Sequence, residues 1–128
     1  MNDMESVLRE EQESYNELFR HRTKQLALEI LKLYRSHCQT DELRIIGKQL
    51  IRSVTSVAAN YRAVIRARSD AEKHSKLCIV VEEADETVFW LELLTESIII
   101  NASLLKPLMD EALEILKVMS AYKKKYKR

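Results

Sequence analysis

Residues 42–68 read ELRIIGKQLIRSVTSVAANYRAVIRAR, and this stretch decides the fold. Its apolar side chains recur every three or four positions, which is the period of an amphipathic helix with one buried face. They are Leu43, Ile46, Leu50, Val54, Val57, Ala58, Tyr61, Val64 and Ile65. The pattern predicts one long helix from about Glu42 to Arg68. Gly47 lies at the edge of the apolar arc, where its missing side chain would let a neighbouring helix approach closely.

The opposite side of this helix carries the basic stripe, a row of five cations. They are Arg44, Lys48, Arg52, Arg62 and Arg66. At 100° per residue they span an arc of about 80° and extend roughly 33 Å along the helix axis. No acidic residue interrupts the stripe, and most of its members are arginines, which can hold a phosphate with two hydrogen bonds. The stripe is a candidate nucleic-acid-binding surface, and the alternative is a solvated or ion-paired helix face.

The composition favours a few long helices. The chain has 128 residues, which suits one domain, and only one glycine and one proline. Sheet proteins need many turns, and turns draw on both residue types. Helical spacing predicts a first helix from about Phe19 to Cys38. It follows an acidic N-terminal extension over residues 1–18, and the pattern leaves open whether helical turns already begin at Met4.

Two further helices complete the predicted architecture. Ser69-Asp70-Ala71-Glu72 fits a capping box, which marks the start of a third helix that runs to about Ser97. A fourth helix starts near Ser103 and ends in a basic tail, residues 123–128. Four amphipathic helices joined by short links predict an all-α, antiparallel up-and-down four-helix bundle in a single domain over residues 1–128.

The third helix is apolar on two sides. One side supplies core residues, and the other carries Ile79, Phe89, Trp90 and Leu93. A helix in a small monomeric bundle needs only one buried face. We therefore expect the second group to lie at contacts between subunits of a homo-oligomer.

Charge is distributed in blocks, although the net charge is only +1. Acidic residues dominate residues 1–20 and 82–96, and basic residues dominate residues 44–76 and 117–128. The acidic run on the third helix could pair with the basic stripe. Tyr122, directly before the basic tail, and Tyr126 within it stand beside lysines, which leaves room for stacking on nucleic-acid bases.

Cysteine content and hydropathy indicate the cellular compartment. Cys38 and Cys78 are isolated thiols in predicted helices, and we expect both to be buried and unbridged. No apolar segment follows a basic start, and the longest apolar run is too short to cross a bilayer. The sequence predicts a cytoplasmic protein with no membrane partner.

Motifs for chemistry are sparse, so we expect no catalytic residues, no metal site and no cofactor. None of the three histidines has a glutamate three residues before it, as a di-iron bundle requires. Arg68 and His74 have an Arg-x5-His spacing that resembles the RNase motif of HEPN domains, which are also helical bundles. The spacing lies across the predicted capping box, where Arg68 has an ordinary helix-end role.

Three segments carry a resemblance to a known family. They are RTKQLALEILKLYRS (22–36), IGKQLIRSVTSVAANYRAVIRARS (46–69) and VEEADETVFWLELL (81–94). Together they resemble the proteins encoded by intervening sequences inside bacterial large-subunit ribosomal RNA genes, also labelled ribosomal-protein-like. The resemblance implies a four-helix bundle that assembles into a ring-shaped homopentamer. A related branch comprises accessory proteins of diversity-generating retroelements, which bind a reverse transcriptase and RNA.

Some parts of these segments are more specific than the rest. They are the Gln49, Arg52, Ser56 and Asn60 run, the Arg68-Ser69 junction, and residues 83–94. Ser56 and Asn60 lie one helical turn apart, and we expect them to have a structural role. The chain departs from the family pattern at residues 98–101, where relatives often have a turn that contains glycine.

The sequence supports one main functional hypothesis and two alternatives. The first is a non-enzymatic homo-oligomer, a pentamer as the resemblance implies, that binds RNA or DNA through the basic stripe. The second is a protein-interaction scaffold or accessory subunit, for example of a reverse transcriptase, in which the stripe pairs with acidic surfaces. A HEPN-like RNase is a distant third.

Overall fold

The computed structural model describes residues 2–127 and contains four helices. They are α1 (Asp3–His37), α2 (Asp41–Ile65), α3 (Asp70–Ser97) and α4 (Ala102–Lys125). Contacts join α1 to α2, α2 to α3, α3 to α4 and α1 to α4, which closes the four helices into a ring with no diagonal pair in the described range. The predicted all-α four-helix bundle is confirmed. Arg128, the last residue of the basic tail, lies outside the described residues.

Each helix begins at a side chain that caps its first turn. Asn2, Thr40 and Ser69 accept hydrogen bonds from the backbone N–H three residues later, at 2.8, 3.2 and 3.1 Å. Asn101 accepts from Ser103 N at 2.9 Å. These oxygens satisfy amides that have no partner inside the helix, and each cap typically contributes about 1 kcal/mol.

The α1 and α3 boundaries add detail to the predicted ones. α1 starts at Asp3, so most of the acidic extension forms the first turns of one continuous helix. Ser69 caps α3 as predicted, but the Glu72 carboxylate accepts from Arg68 N at 3.4 Å rather than from Ser69 N. Only half of the reciprocal capping box is therefore formed as the motif describes it.

The core runs the length of the bundle and is built from the apolar side of each helix. Its most deeply buried large side chains include Ile30, Leu50, Tyr61, Leu91 and Met119. One hydroxyl pair crosses this core, because Thr87 Oγ1 of α3 lies 3.0 Å from Ser53 Oγ of α2. Each hydroxyl also has a backbone carbonyl of the preceding turn within hydrogen-bonding distance, so both protons have an acceptor.

Specific contacts set the antiparallel register of α1 and α4. Arg22 and Glu111 form a two-pronged ion pair, with Nε 3.0 Å from Oε2, and Gln12 Nε2 donates to Tyr122 Oη at 2.8 Å. The hydrogen bond that Arg22 donates to the Glu111 carboxylate is the main reason that the pKa of Arg22 is raised. Residue numbers therefore rise along α1 as they fall along α4, as in an up-and-down bundle.

The helix α2 is unbroken at Gly47 and Ser56, as predicted, but it ends at Ile65 rather than Arg68.

Both cysteines are unbridged and half-buried, so neither is as deeply buried as expected. Across residues 2–127, no helix combines the length and the apolar character that a bilayer crossing requires.

Candidate nucleic-acid interface

All five cations of the basic stripe are exposed on α2. Because the helix is continuous from Asp41 to Ile65, the first four lie along its shaft and Arg66 forms its C-cap. The stripe is therefore one physical surface, as the periodicity predicts. Its members differ in what they contact, and that difference divides the stripe into two parts.

Arg44 and Arg52 are engaged by carboxylates of the chain itself. Arg44 pairs with Asp41 in the preceding turn and donates to the Cys38 carbonyl at 3.3 Å. Arg52 reaches across to α3, where it pairs with Glu86 and with Glu83, the latter at 3.2 Å. The acidic run of the third helix thus pairs with one member of the stripe, which the sequence raised as an alternative.

Lys48, Arg62 and Arg66 have no carboxylate of residues 2–127 within ion-pairing distance. Arg62 borders an open groove between α1 and α2, and it also lines a shallow depression with Arg66 and Glu72. Two of these three cations, Arg62 and Arg66, therefore lie at the C-terminal end of α2, while Lys48 lies in its N-terminal half.

The helix α1 adds basic side chains to this groove that sequence reasoning missed. Arg20, His21 and Lys24 line it opposite Arg62. Arg20 is held by Glu17 at 2.6 Å, and this hydrogen bond is the main cause of the lowered pKa of Glu17. The spacing of Arg20, His21 and Lys24 on one side of α1 is visible in the sequence, but only the packing of α1 on α2 brings them beside Arg62.

Tyr122 and Tyr126 both contact aromatic rings of the bundle. Tyr122 is 9 % exposed, and its ring stacks on Tyr15 with centroids 5.3 Å apart and planes 9° apart. Tyr126 lies against Tyr122, with ring centroids 5.3 Å apart. The expectation that these rings leave room for base stacking is therefore wrong for Tyr122, which the bundle buries, while Tyr126 is half-buried against it.

The predicted oligomer contacts on α3 are only partly exposed. Phe89 is 50 % exposed and Leu93 is 37 % exposed, whereas Ile79 and Trp90 are half-buried. Phe89 contacts Trp90 edge to face at 4.9 Å between centroids. The indole Nε1 of Trp90 is buried with no hydrogen-bond partner among the described residues.

The residues considered for catalysis have structural partners. Arg68 lies 3.8 Å from Glu72 and is 91 % exposed in its side chain. His74 contacts the Lys123 carbonyl at 3.4 Å and Cys78 Sγ at 3.5 Å. Residues 2–127 contain no cluster of three or more His, Cys, Asp or Glu side chains that could hold a metal ion.

Ser56 and Asn60 bond to each other within α2. Asn60 Nδ2 donates to the Ser56 carbonyl at 2.9 Å and to its hydroxyl at 3.0 Å. The pair therefore stays local to one turn of α2, and the structural role expected of it is confined to that helix.

Comparisons with known proteins agree with this architecture. A crystal structure of a protein of unknown function from the S23 ribosomal protein family of Bacteroides thetaiotaomicron VPI-5482 superposes with a TM-score of 0.78. It is 30 % identical in sequence, and the match covers 85 % of this chain and 97 % of that one. None of the curated proteins compared with the chain matches it. Residues 16–121 match the family described as 23S rRNA-intervening sequence protein, and the chain belongs to that family.

Proposed function

We propose that this chain is a non-enzymatic, homo-oligomeric protein that binds RNA through the basic stripe of α2. The observation that carries the proposal is the uncompensated charge of Lys48, Arg62 and Arg66 on one continuous helix face. When regularly spaced cations without counter-carboxylates neutralise the phosphates of a nucleic acid, the counterions condensed on that nucleic acid are released. This release makes the binding favourable and salt-dependent.

The surroundings of Arg62 support the same function. His21 and Lys24 widen the basic area across the α1–α2 groove, so that a phosphate backbone could contact two helices. Arg20 lines the same groove but already pairs with Glu17. Arg44 and Arg52 contribute less, because each already pairs with a carboxylate. We therefore assign most of the binding to the C-terminal part of the stripe.

The exposed apolar surface of α3 supports the homo-oligomer, and the family resemblance implies that it is a pentamer. Phe89 and Leu93 are large, apolar and exposed on a helix whose other side already fills the core. Burying such surface between subunits contributes roughly 25 cal/mol per Å². A ring would repeat the basic stripe around its axis and raise the local positive potential.

The experiment compares two charge-matched variants in a fluorescence-anisotropy titration of a labelled single-stranded RNA. Arg62→Gln with Arg66→Gln should weaken binding at least about tenfold at 50 mM salt and lower the salt slope by about 0.7 for each lost contact. Lys32→Gln with Lys106→Gln removes the same charge at the opposite end of the bundle and should change little. Equal affinities for the two variants would show that the stripe is not the site.

A protein-interaction scaffold is the second candidate, and the ion pairs of Arg52 with Glu83 and Glu86 favour it. They demonstrate that a stripe residue accepts carboxylate partners in this fold. A partner recovered by pull-down that survives nuclease treatment, and that is lost in the Arg62 and Arg66 variant, would favour this function over RNA binding.

A further inference from the structure

The up-and-down topology brings two basic segments of the chain together at one end of the bundle. The last turn of α4 supplies Lys123, Lys124 and Lys125, followed by Lys127, and the first turn of α3 supplies Lys73. Contacts tie them to each other, because the Lys73 Nζ lies 5.1 Å and the Lys125 Nζ 5.7 Å from the ring centroid of Tyr126. We call these five residues the lysine cluster.

The lysine cluster has no ion-pair partner within residues 2–127. Acidic residues at this end of the bundle include Asp70 and Glu72 in the first turn of α3, Asp3 and Glu5 in the first turn of α1, and Glu11, which lines a groove with Lys125. Like charges gathered without direct counter-carboxylates repel each other, so their presence costs folding stability.

The helix dipole accounts for only part of the lysine cluster. Cations in the last turn of α4 interact favourably with its negative C-terminal end. Lys73 lies in the first turn of α3, where the dipole of its own helix disfavours a cation. The helix dipole therefore explains the α4 lysines but not the position of Lys73 over Tyr126.

We infer that the lysine cluster is a second anchor for the phosphate backbone of RNA, at the same end of the bundle as Arg62 and Arg66. This inference rests on the proposed function. The end of α2, the start of α3 and the end of α4 lie side by side there, since α3 packs against both other helices. A backbone bound at Arg62 and Arg66 can therefore continue over α3 to α4.

The lysine cluster binds phosphate without stacking on bases. Both tyrosine rings that could stack are engaged, Tyr122 by Tyr15 and Tyr126 by Tyr122 and two lysines. Charge alone does not distinguish one base from another. The cluster should therefore hold homopolymers of different bases equally well.

The test measures binding of labelled oligo(U) and oligo(A) RNA of equal length to the full chain at several salt concentrations. Lys124→Gln with Lys127→Gln removes two exposed lysines that have no ring contact, and Lys32→Gln with Lys106→Gln is the charge-matched control. The first variant should lower the salt slope by about 0.7 for each lost contact, equally for both RNAs, while the control keeps the wild-type slope. Thermal unfolding checks that both variants are folded.

The outcomes separate this inference from the proposed function. If Arg62→Gln with Arg66→Gln weakens binding but Lys124→Gln with Lys127→Gln does not, the stripe binds RNA and the lysine cluster is no anchor. If the wild-type chain binds neither RNA, the proposed function fails as well. A strong preference for oligo(A) would contradict binding without stacking. Poly-glutamate that competes as well as RNA at equal charge would overturn the inference in favour of an acidic protein partner.

Discussion

Tyr34 of α1 lies against Gly47 of α2, with its ring occupying the space where any other residue would carry a side chain. A Cβ built on Gly47 would lie 2.7 Å from Tyr34 Cε2, closer than real Cβ contacts allow. The glycine therefore lets α1 and α2 approach closely, as the sequence suggested. Glycine normally costs a helix interior about 1 kcal/mol relative to alanine, and here the close packing offsets that cost.

Gly47→Ala should consequently destabilise the protein, although alanine favours helices. We expect a loss of about 1–3 kcal/mol in the free energy of unfolding, because the overpacked ring must shift. Urea denaturation followed by circular dichroism measures it. The double variant Gly47→Ala with Tyr34→Ala should cost less than the sum of the single changes, and strict additivity would rule out the clash as the cause.

The C-cap of α3 offers a stabilising change. Ile98 has φ 60° and ψ 19°, a left-handed conformation that a β-branched residue rarely adopts, and its side chain is 85 % exposed. Ile98→Gly should stabilise the chain by about 0.5–1 kcal/mol, since the relief of strain exceeds the added entropy of the unfolded chain. Ile98→Ala keeps the Cβ and should give much less. A melting temperature that rises equally in both variants would point to loss of the exposed side chain instead.

Freeing Arg52 should strengthen RNA binding. Glu83→Gln with Glu86→Gln removes both carboxylates that hold Arg52, so one more guanidinium becomes available to phosphate. Glu82→Gln with Asp85→Gln makes the same change in net charge on the same helix without touching Arg52. We expect the first variant to raise the salt slope by about 0.7 relative to the second. Equal slopes would mean that Arg52 does not reach the ligand even when unpaired.

The oligomer prediction is tested on α3 by introducing charge. Phe89→Glu with Leu93→Glu should convert an oligomer into a monomer in sedimentation velocity at micromolar protein, because two buried carboxylates without partners are strongly unfavourable. Leu104→Glu changes an α4 side chain of similar exposure and should leave the assembly intact. A wild-type chain that sediments as a monomer would remove the oligomer from the proposed function.

Tyr61 should make the protein sensitive to alkali. Burial, followed by the nearby Tyr15 and Tyr126, raises the pKa of Tyr61 above its ordinary value of 10.0. The folded state favours the neutral phenol, so above pH 10 the tyrosine ionises first in the unfolded chain. The free energy of unfolding is therefore unaffected below pH 10 and falls as the pH rises above it. The slope is about 1.4 kcal/mol per pH unit for one tyrosine. Denaturation of Tyr61→Phe should show a shallower decline above pH 10.

The same variant also tests the buried hydroxyl at neutral pH. The Tyr61 hydroxyl is buried with no hydrogen-bond partner among residues 2–127, so its removal should be neutral or stabilising. Tyr122→Phe removes a hydroxyl that accepts from Gln12 and should cost about 1 kcal/mol. Destabilisation by Tyr61→Phe comparable to that of Tyr122→Phe would show that the Tyr61 hydroxyl is satisfied in solution.

Local patterns were sufficient to predict the helices and the basic stripe. The 3.6-residue period of α2 separates Leu50, Val54 and Val57 from the cations, and burial of these side chains follows from that separation alone. Ser69 caps α3 as predicted, because capping depends on residues three positions apart. Local signals missed the ends of α1 and α2, where propensities on the two sides of a boundary differ little.

Only the tertiary structure decided which charges remain available. Arg52 and Arg62 are equivalent in the sequence, yet Arg52 meets Glu83 and Glu86 of the neighbouring helix while Arg62 borders an open groove. Likewise, Lys73 and Tyr126 are 53 positions apart and meet only because α3 and α4 pack antiparallel. The sequence by itself determined which side of each helix is apolar, since that depends on periodicity within one segment. The partners of the polar side depend on contacts between segments, and these exist only once the helices have packed.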